Sequence, residues 1–167
     1  MNYQIIEACP NDAKAILEYL KIVGGQTNNL SIDDRGLLIS EEEERVLLQN
    51  YQENKDGVFL LAKSGDEIIC VATAFPTDNR RHSHVLNFAI SVKKKYWGQG
   101  VAGKVMDEVI DLARKRGFYK IILYVLMSNE SAIKLYLKKG FEIEGKLAGN
   151  MKIDDEYFDD YYMGKIL

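Results

Sequence analysis

The chain has 167 residues, 47% of them apolar and 28% charged, with a formal net charge of −3. A chain of this length can bury a core of its own and reads as a single domain, 1–167, while its slight acidity gives no general attraction to nucleic acid. No apolar run approaches the ~20 residues that span a bilayer and MNYQIIEACP lacks a charged-then-apolar leader, so no membrane partner and a cytoplasmic location are expected. Cys9 and Cys70 match no metal or redox spacing, read as reduced thiols, and leave no metal site to expect.

Tyr3 to Ala8 reads as a strand. Pro10-Asn11-Asp12 then opens a helix whose apolar positions Ala13, Ile16, Leu17 and Leu20 recur at helical spacing, and Gly24 to Asn29 breaks it. Ser40 with Glu43 forms a capping-box pattern for a second helix, with Val46, Leu47 and Tyr51 as its expected buried face. The acidic turn Glu41 to Glu44 reads as compensation of the helix dipole, with attraction of a polyamine as the other reading. Val58 to Lys63 and Ile68 to Phe75 are strands flanking the hairpin-like turn Gly65-Asp66, and a third run spans Ser83 to Val92.

Next comes YWGQGVAGK, Tyr96 to Lys104, with three glycines in six positions between a strand and a helix. Glycines there leave backbone N–H groups bare at a helix N-terminus, a site suited to phosphate. Gly98 to Lys104 fits the spelling of a nucleotide-triphosphate loop, but Val105 stands where the magnesium ligand would be, and the run Ile121 to Met127 ends without a metal-binding Asp. Gly98, Gly100 and Gly103 also fit the dinucleotide fingerprint. The basic insert Lys93 to Lys95 separates them from the strand, however, and the following strand ends Leu126-Met127-Ser128 with no acid for a ribose. Val101 to Arg116 carries a broad apolar stripe, Tyr119 to Leu126 is a nearly continuous apolar strand, and Asn129 to Lys139 is a short helix stopped by Gly140. Phe141 to Glu144 begins another strand, and Tyr157 to Lys165 pairs back as the last. Asp154-Asp155-Glu156 and Asp159-Asp160 read as a solvated turn rather than a metal loop.

Taken in order, Ile90-Ser91-Val92, the basic insert, Tyr96-Trp97-Gly98-Gln99-Gly100-Val101-Ala102, Asn129-Glu130-Ser131-Ala132 and Leu135-Tyr136-Leu137-Lys138-Lys139-Gly140-Phe141-Glu142 resemble the GCN5-related N-acetyltransferases, the GNAT family. The resemblance covers roughly residues 83 to 166. It implies an α/β (α+β layered) fold with a mixed, mostly antiparallel central sheet splayed between two strands, and helices on both faces. It also implies acetyl-CoA as co-substrate. Backbone groups of Ile90 and Val92 would meet the pantetheine amides. Trp97, Gly98, Gln99, Gly100, Val101, Ala102, Gly103 and Lys104 would meet the pyrophosphate, with Trp97 standing where the family often has Arg or Gln. Lys93 to Lys95 read either as a solvated loop or as attraction for the CoA phosphates.

The resemblance also makes Asn129 a CoA contact and Tyr136 the general acid that protonates the departing thiolate. Seven residues apart, they share one side of a helix; read without the family, Asn129 is an N-cap and Tyr136 a core aromatic. Where many relatives place a carboxylate base on the strand before the loop, this chain has Asn87. His84, three residues earlier, is the candidate substitute. A lysine-type amine is only ~0.04% neutral at pH 7 and an α-amine ~10%, so a missing base tilts the acceptor toward an α-amine. Thr27 and Asn29, in the connection that lines the family's acceptor pocket, would touch that substrate, although GGQTNN is equally a flexible turn.

The expected activity is direct acetyl transfer to a primary amine of a small molecule (amino acid, polyamine or similar) or of a peptide N-terminus, without a covalent enzyme intermediate. The rival is a non-enzymatic acyl-CoA-binding module that has lost its base. Exposed strands near the C-terminus are compatible with a homodimer formed by edge pairing.

Overall fold

The computed structural model describes residues 2–77 and 79–167. In chain order the elements are β1 (Gln4–Glu7), α1 (Ala13–Gly24), α2 (Glu41–Asn54), β2 (Val58–Ser64), β3 (Glu67–Pro76), β4 (Val85–Val92), α3 (Val101–Lys115), β5 (Lys120–Leu126), α4 (Glu130–Lys138), β6 (Glu142–Ile153) and β7 (Glu156–Ile166). They form one seven-stranded sheet in the order β1-β2-β3-β4-β5-β7-β6, antiparallel at every pairing except β4 with β5. This is the mixed, mostly antiparallel sheet that the sequence led us to expect.

Alternation along the strands gives each face of the sheet its own core. Leu60, Ala62, Leu86, Phe88, Ile121 and Leu123 point to one side and meet Val105, Met106 and Val109 of α3. Phe59, Leu61 and Val71 point to the other side and meet Ile16, Tyr19 and Val23 of α1 with Leu48 and Tyr51 of α2. Helices therefore cover both faces. At the base of the sheet, Glu7 of β1 accepts from Lys55 at 2.8 Å, from Arg116 at 2.7 Å and from Tyr51, tying β1, α2 and the end of α3 together. Burial acts to raise the Glu7 carboxyl, but the three donors prevail and hold it at about 2.

Three expectations are corrected. The capping box of α2 is present, with Glu43 N–H donating to Ser40 Oγ at 3.2 Å, but Val46 and Leu47 are exposed and the buried face is Glu44, Leu48 and Tyr51. Helical steps back from Tyr51 land on Leu48 and Glu44, so the adjacent apolar pair faces outward. The third central strand starts at Val85, not Ser83, because residues 80–84 form a short 3-10 helix and turn. The strand expected to begin at Phe141 starts at Glu142 and runs to Ile153 as the sheet edge, with β7 between it and β5. Asp154 and Asp155, at φ 47° and 66°, do form the turn expected there.

Candidate functional site

Among the described residues, β4 and β5 are in register at Val85–Lys120, Leu86–Ile121 and Asn87–Ile122. Beyond these pairs the strands part. β4 stays paired to β3, and β5 to β7, so the gap opens inside the sheet and not at its rim. Lys93 N–H donates to Ile69 O in β3 at 3.0 Å. By strand alternation the main-chain groups of Ile90 and Val92 then face the gap. The result is a cleft of about 1180 Å³ running from the α1–α2 connection to the start of α3. On its α1 side, the Tyr19 hydroxyl donates to Ser91 O at 2.7 Å and fixes that wall.

The glycine segment closes one end. Gly98 and Gly100 adopt φ of 72° and 77°, a conformation that other residues reach only with strain, and Gly100 is the N-cap of α3 with no capping side chain. No acidic residue occupies the first turn of α3, so its bare N–H groups and dipole present a positive end to the cleft, lined there by Gly98 and residues 100–104. Of the predicted contacts, Gln99 does not line the cleft; its Nε2 donates to Lys95 O at 2.9 Å and braces the loop. Trp97 does line it, and its indole Nε1 donates to Val92 O at 2.7 Å.

The basic insert is not a free cationic patch. Lys93 and Lys95 each bond Glu67 at 2.9 Å, and the Tyr96 hydroxyl donates to the same carboxylate at 2.8 Å. Led by Lys93 and then Lys95, these donors draw the Glu67 carboxyl down to about 2. Lys94 N–H donates to Gln26 Oε1 at 2.8 Å, coupling this corner to the α1–α2 connection.

Asn129 and Tyr136 both line the cleft. Asn129 is the N-cap of α4, its Oδ1 accepting from Ala132 N–H at 3.4 Å, so the capping role is real while the amide nitrogen remains a donor. Tyr136 is 8% exposed, with its ring centroid 5.9 Å from that of Phe141, and burial pushes its hydroxyl up to about 12. Thr27 and Asn29 line the far side with Leu30 and Ser31, where Thr27 Oγ1 accepts from Asn29 N–H at 3.2 Å.

Two further predicted residues are not brought to the cleft. His84 lies in the turn before β4, exposed, its carbonyl accepting from Tyr119 and Lys120 N–H. The strand between it and Val92 is about 23 Å long at ~3.3 Å per residue. Asn87 occupies the last paired register below the gap. Among the cleft residues that sequence reasoning did not single out is Asp160: read as part of a solvated acidic turn, it is 2% exposed in β7. An acid set among the alternating aromatics of Tyr157 to Lys165 was the available signal.

Against known proteins, a family model described as "Acetyltransferase (GNAT) family" matches residues 27–141. The chain belongs to the GNAT acetyltransferase family. Among curated relatives, L-amino acid N-acetyltransferase AaaT of Escherichia coli K12 is 39% identical over 87 residues, 52% of this chain and 54% of that protein. The chain spans about half the length of the curated relatives it matches. Among solved structures, a GNAT-family acetyltransferase from Streptococcus pneumoniae superposes with a TM-score of 0.96 at 29% identity, covering 99% of this chain and 100% of that one. A GNAT phosphinothricin acetyltransferase from Sinorhizobium meliloti, solved with AcCoA, shares the fold with a TM-score of 0.81 at 20% identity, covering 100% of this chain and 89% of that one. In this member the sheet splays beside a glycine-capped helix. Among the described residues no helix is long and apolar enough to cross a membrane, and no group of three or more His, Cys, Asp or Glu is arranged to hold a metal.

Proposed function

We propose that the chain is a single-domain, cytoplasmic N-acetyltransferase that uses acetyl-CoA and transfers acetyl directly to a primary amine of a small molecule, with an amino acid as the first class to test, or of a peptide N-terminus. One observation carries the reading: a single cleft joins the parted strand edges, the bare N-terminus of α3 and Tyr136. These features fit a long ligand that has amides in the middle and a diphosphate at one end. The relative named for L-amino acid acetylation favours the amino-acid class.

Bound acetyl-CoA supplies a thioester whose acyl carbon takes the amine nitrogen and whose sulfur leaves. The chain's own residues do the rest. Ile90 and Val92 offer main-chain donors and acceptors to amides, and the amides of residues 101–103 with the α3 dipole offset phosphate charge. Tyr136, held protonated by burial, donates its hydroxyl proton to the departing sulfur. Cys70 is buried and its thiol pushed up by burial, and neither cysteine lines the cleft, so direct transfer is preferred to an acyl-enzyme. Tyr136 in the cleft also disfavours the non-enzymatic module.

Calorimetry with acetyl-CoA, followed by a thiol-release assay against L-amino acids, polyamines and short peptides, tests the proposal. Binding with amine-dependent release of one thiol per amide formed is expected. Binding without such release would revive the module, and no binding would remove the proposal altogether.

A further inference from the structure

Asp160 is 2% exposed and lines the cleft, yet only one of its carboxylate oxygens is engaged: Oδ2 accepts from Asn150 Nδ2 at 2.7 Å, while Oδ1 is buried without a partner. An orphaned carboxylate oxygen in a buried place is costly unless a donor arrives. Its position suggests which donor. Asp160 stands opposite Leu126 in the β5–β7 register, and Asn87 stands opposite Ile122 in the β4–β5 register. Residues 122, 124 and 126 project to one face of β5, so Asp160 shares a face with Asn87 and lies about 13 Å farther along, past the point where the strands part. That is also the face against which α1 packs, as the bond from Tyr19 to Ser91 shows. Tyr136 approaches the same cleft from α4, among the residues of the opposite core.

The other acid of the cleft and several nearby charges are already paired, while Lys104 and Lys138 also line the cleft as cations. Lys152 pairs with Asp155 at 2.6 Å, Lys146 with Asp159 at 2.7 Å, and Asp107, the other carboxylate lining the cleft, with Lys139 at 2.6 Å. Asp160 is thus the cleft carboxylate left to meet an incoming cation.

We propose that Asp160 is the acceptor-binding carboxylate of this chain: Oδ1 receives the substrate ammonium and takes a proton from it, supplying from β7 the base that Asn87 cannot supply from β4. The inference rests on the acetyltransferase reading above and extends it to an acceptor that enters as a cation. The balance is complete. The ammonium gives one proton to Asp160, and the neutral nitrogen forms the C–N bond as the C–S bond breaks. The nitrogen then loses a second proton. One proton ends on the thiol by way of Tyr136 and the other passes from Asp160 to solvent, leaving amide, free thiol and one released proton.

The test compares wild type with Asp160→Asn, which can keep the Asn150 bond, using acetyl-CoA and whichever amine of the panel reacts fastest. At neutral pH, kcat/KM for the amine should fall about 100-fold, the scale of a lost general base. Acetyl-CoA affinity by calorimetry should stay unchanged, and the deficit should narrow to below about tenfold as pH approaches the amine's own pKa, where solution supplies the neutral form. A fold-only role would leave the deficit independent of pH, and an unchanged kcat/KM or a pH-independent deficit overturns the proposal. Independently of any variant, the wild type should bind the neutral hydroxyl analogue of that amine at least about tenfold more weakly than the amine, an order typical of a lost charged hydrogen bond; equal affinity overturns it. Should wild type bind no acetyl-CoA, or release no thiol, the underlying acetyltransferase reading falls and this one with it. Should wild type be active while both contrasts vanish, this inference alone falls.

Discussion

The indole Nε1 of Trp97 donates to the carbonyl oxygen of Val92 at 2.7 Å, so a side chain from the loop occupies a main-chain acceptor that faces the cleft. A ligand amide that uses this carbonyl has to displace the indole. Trp97→Phe keeps an aromatic face and removes the donor. Because a net hydrogen bond is worth about 1 kcal/mol, acetyl-CoA should bind up to about fivefold more tightly to this variant. Calorimetry reads this directly, and weaker binding would mean that the indole itself contacts the ligand.

Tyr136→Phe should lower kcat about 100-fold or more, within the range for general acid catalysis, and leave the acetyl-CoA dissociation constant unchanged. The pH dependence has a defined sign. A hydroxyl pushed up to about 12 stays protonated below that value, so loss of this acid should not reduce the wild-type kcat anywhere through pH 10. Turnover that declines between pH 8 and 10 with the fold intact would assign the acid to another group.

The two glycines nearest the α3 N-terminus should respond differently. A Cβ at Gly100 meets nothing within 4 Å, but φ of 77° makes Gly100→Ala cost about 1–2 kcal/mol of stability. A Cβ at Gly103 meets Leu135 and Lys139 at 3.6 Å, ordinary contact inside a helix, so Gly103→Ala should keep or raise stability by up to about 1 kcal/mol. Its methyl would still stand on the cleft surface. Thermal melts with and without acetyl-CoA should find Gly103→Ala stable yet poorly stabilised by ligand, and Gly100→Ala weakened in both respects.

Glu7 makes acid sensitivity structural. Its folded carboxyl sits at about 2 against an ordinary 4.5, so its contribution is present above pH 4.5 and is lost as pH falls toward 2. Glu7→Gln should be less stable than wild type at pH 7, with the difference shrinking by pH 3. Denaturant titrations at the two pH values check this; a gap that stays constant would show that Glu7 acts through packing alone.

What could be read from the chain divides along local and long-range lines. The capping box at Ser40, the glycine cap at Gly100 and the helical pairing of Asn129 with Tyr136 are local patterns, and each occurs where expected. His84 and Asp160 depend on distant pairing. A strand that starts two residues later than expected leaves His84 in a turn at the wrong end, and only the insertion of β7 beside β5 turns an acid two strands away into part of the cleft wall. The buried face of α2 failed for another reason: apolar side chains at Val46 and Leu47 outweighed the helical period, while Glu44 lies inside with its carboxyl raised by burial.

Among the described residues, β4 and β5 meet in register at three residue pairs, all at one end of the seam between the two halves of the sheet. Each half is internally well laddered, so the seam between them is the compliant part of the molecule and behaves as a zipper fastened at one end. A guest lodged in the seam supplies the missing rungs, and its arrival should slow amide exchange on β4 and β5 together while strands at the rims barely respond. If the proposed co-substrate is that guest, its capture and the stiffening of the scaffold are one event.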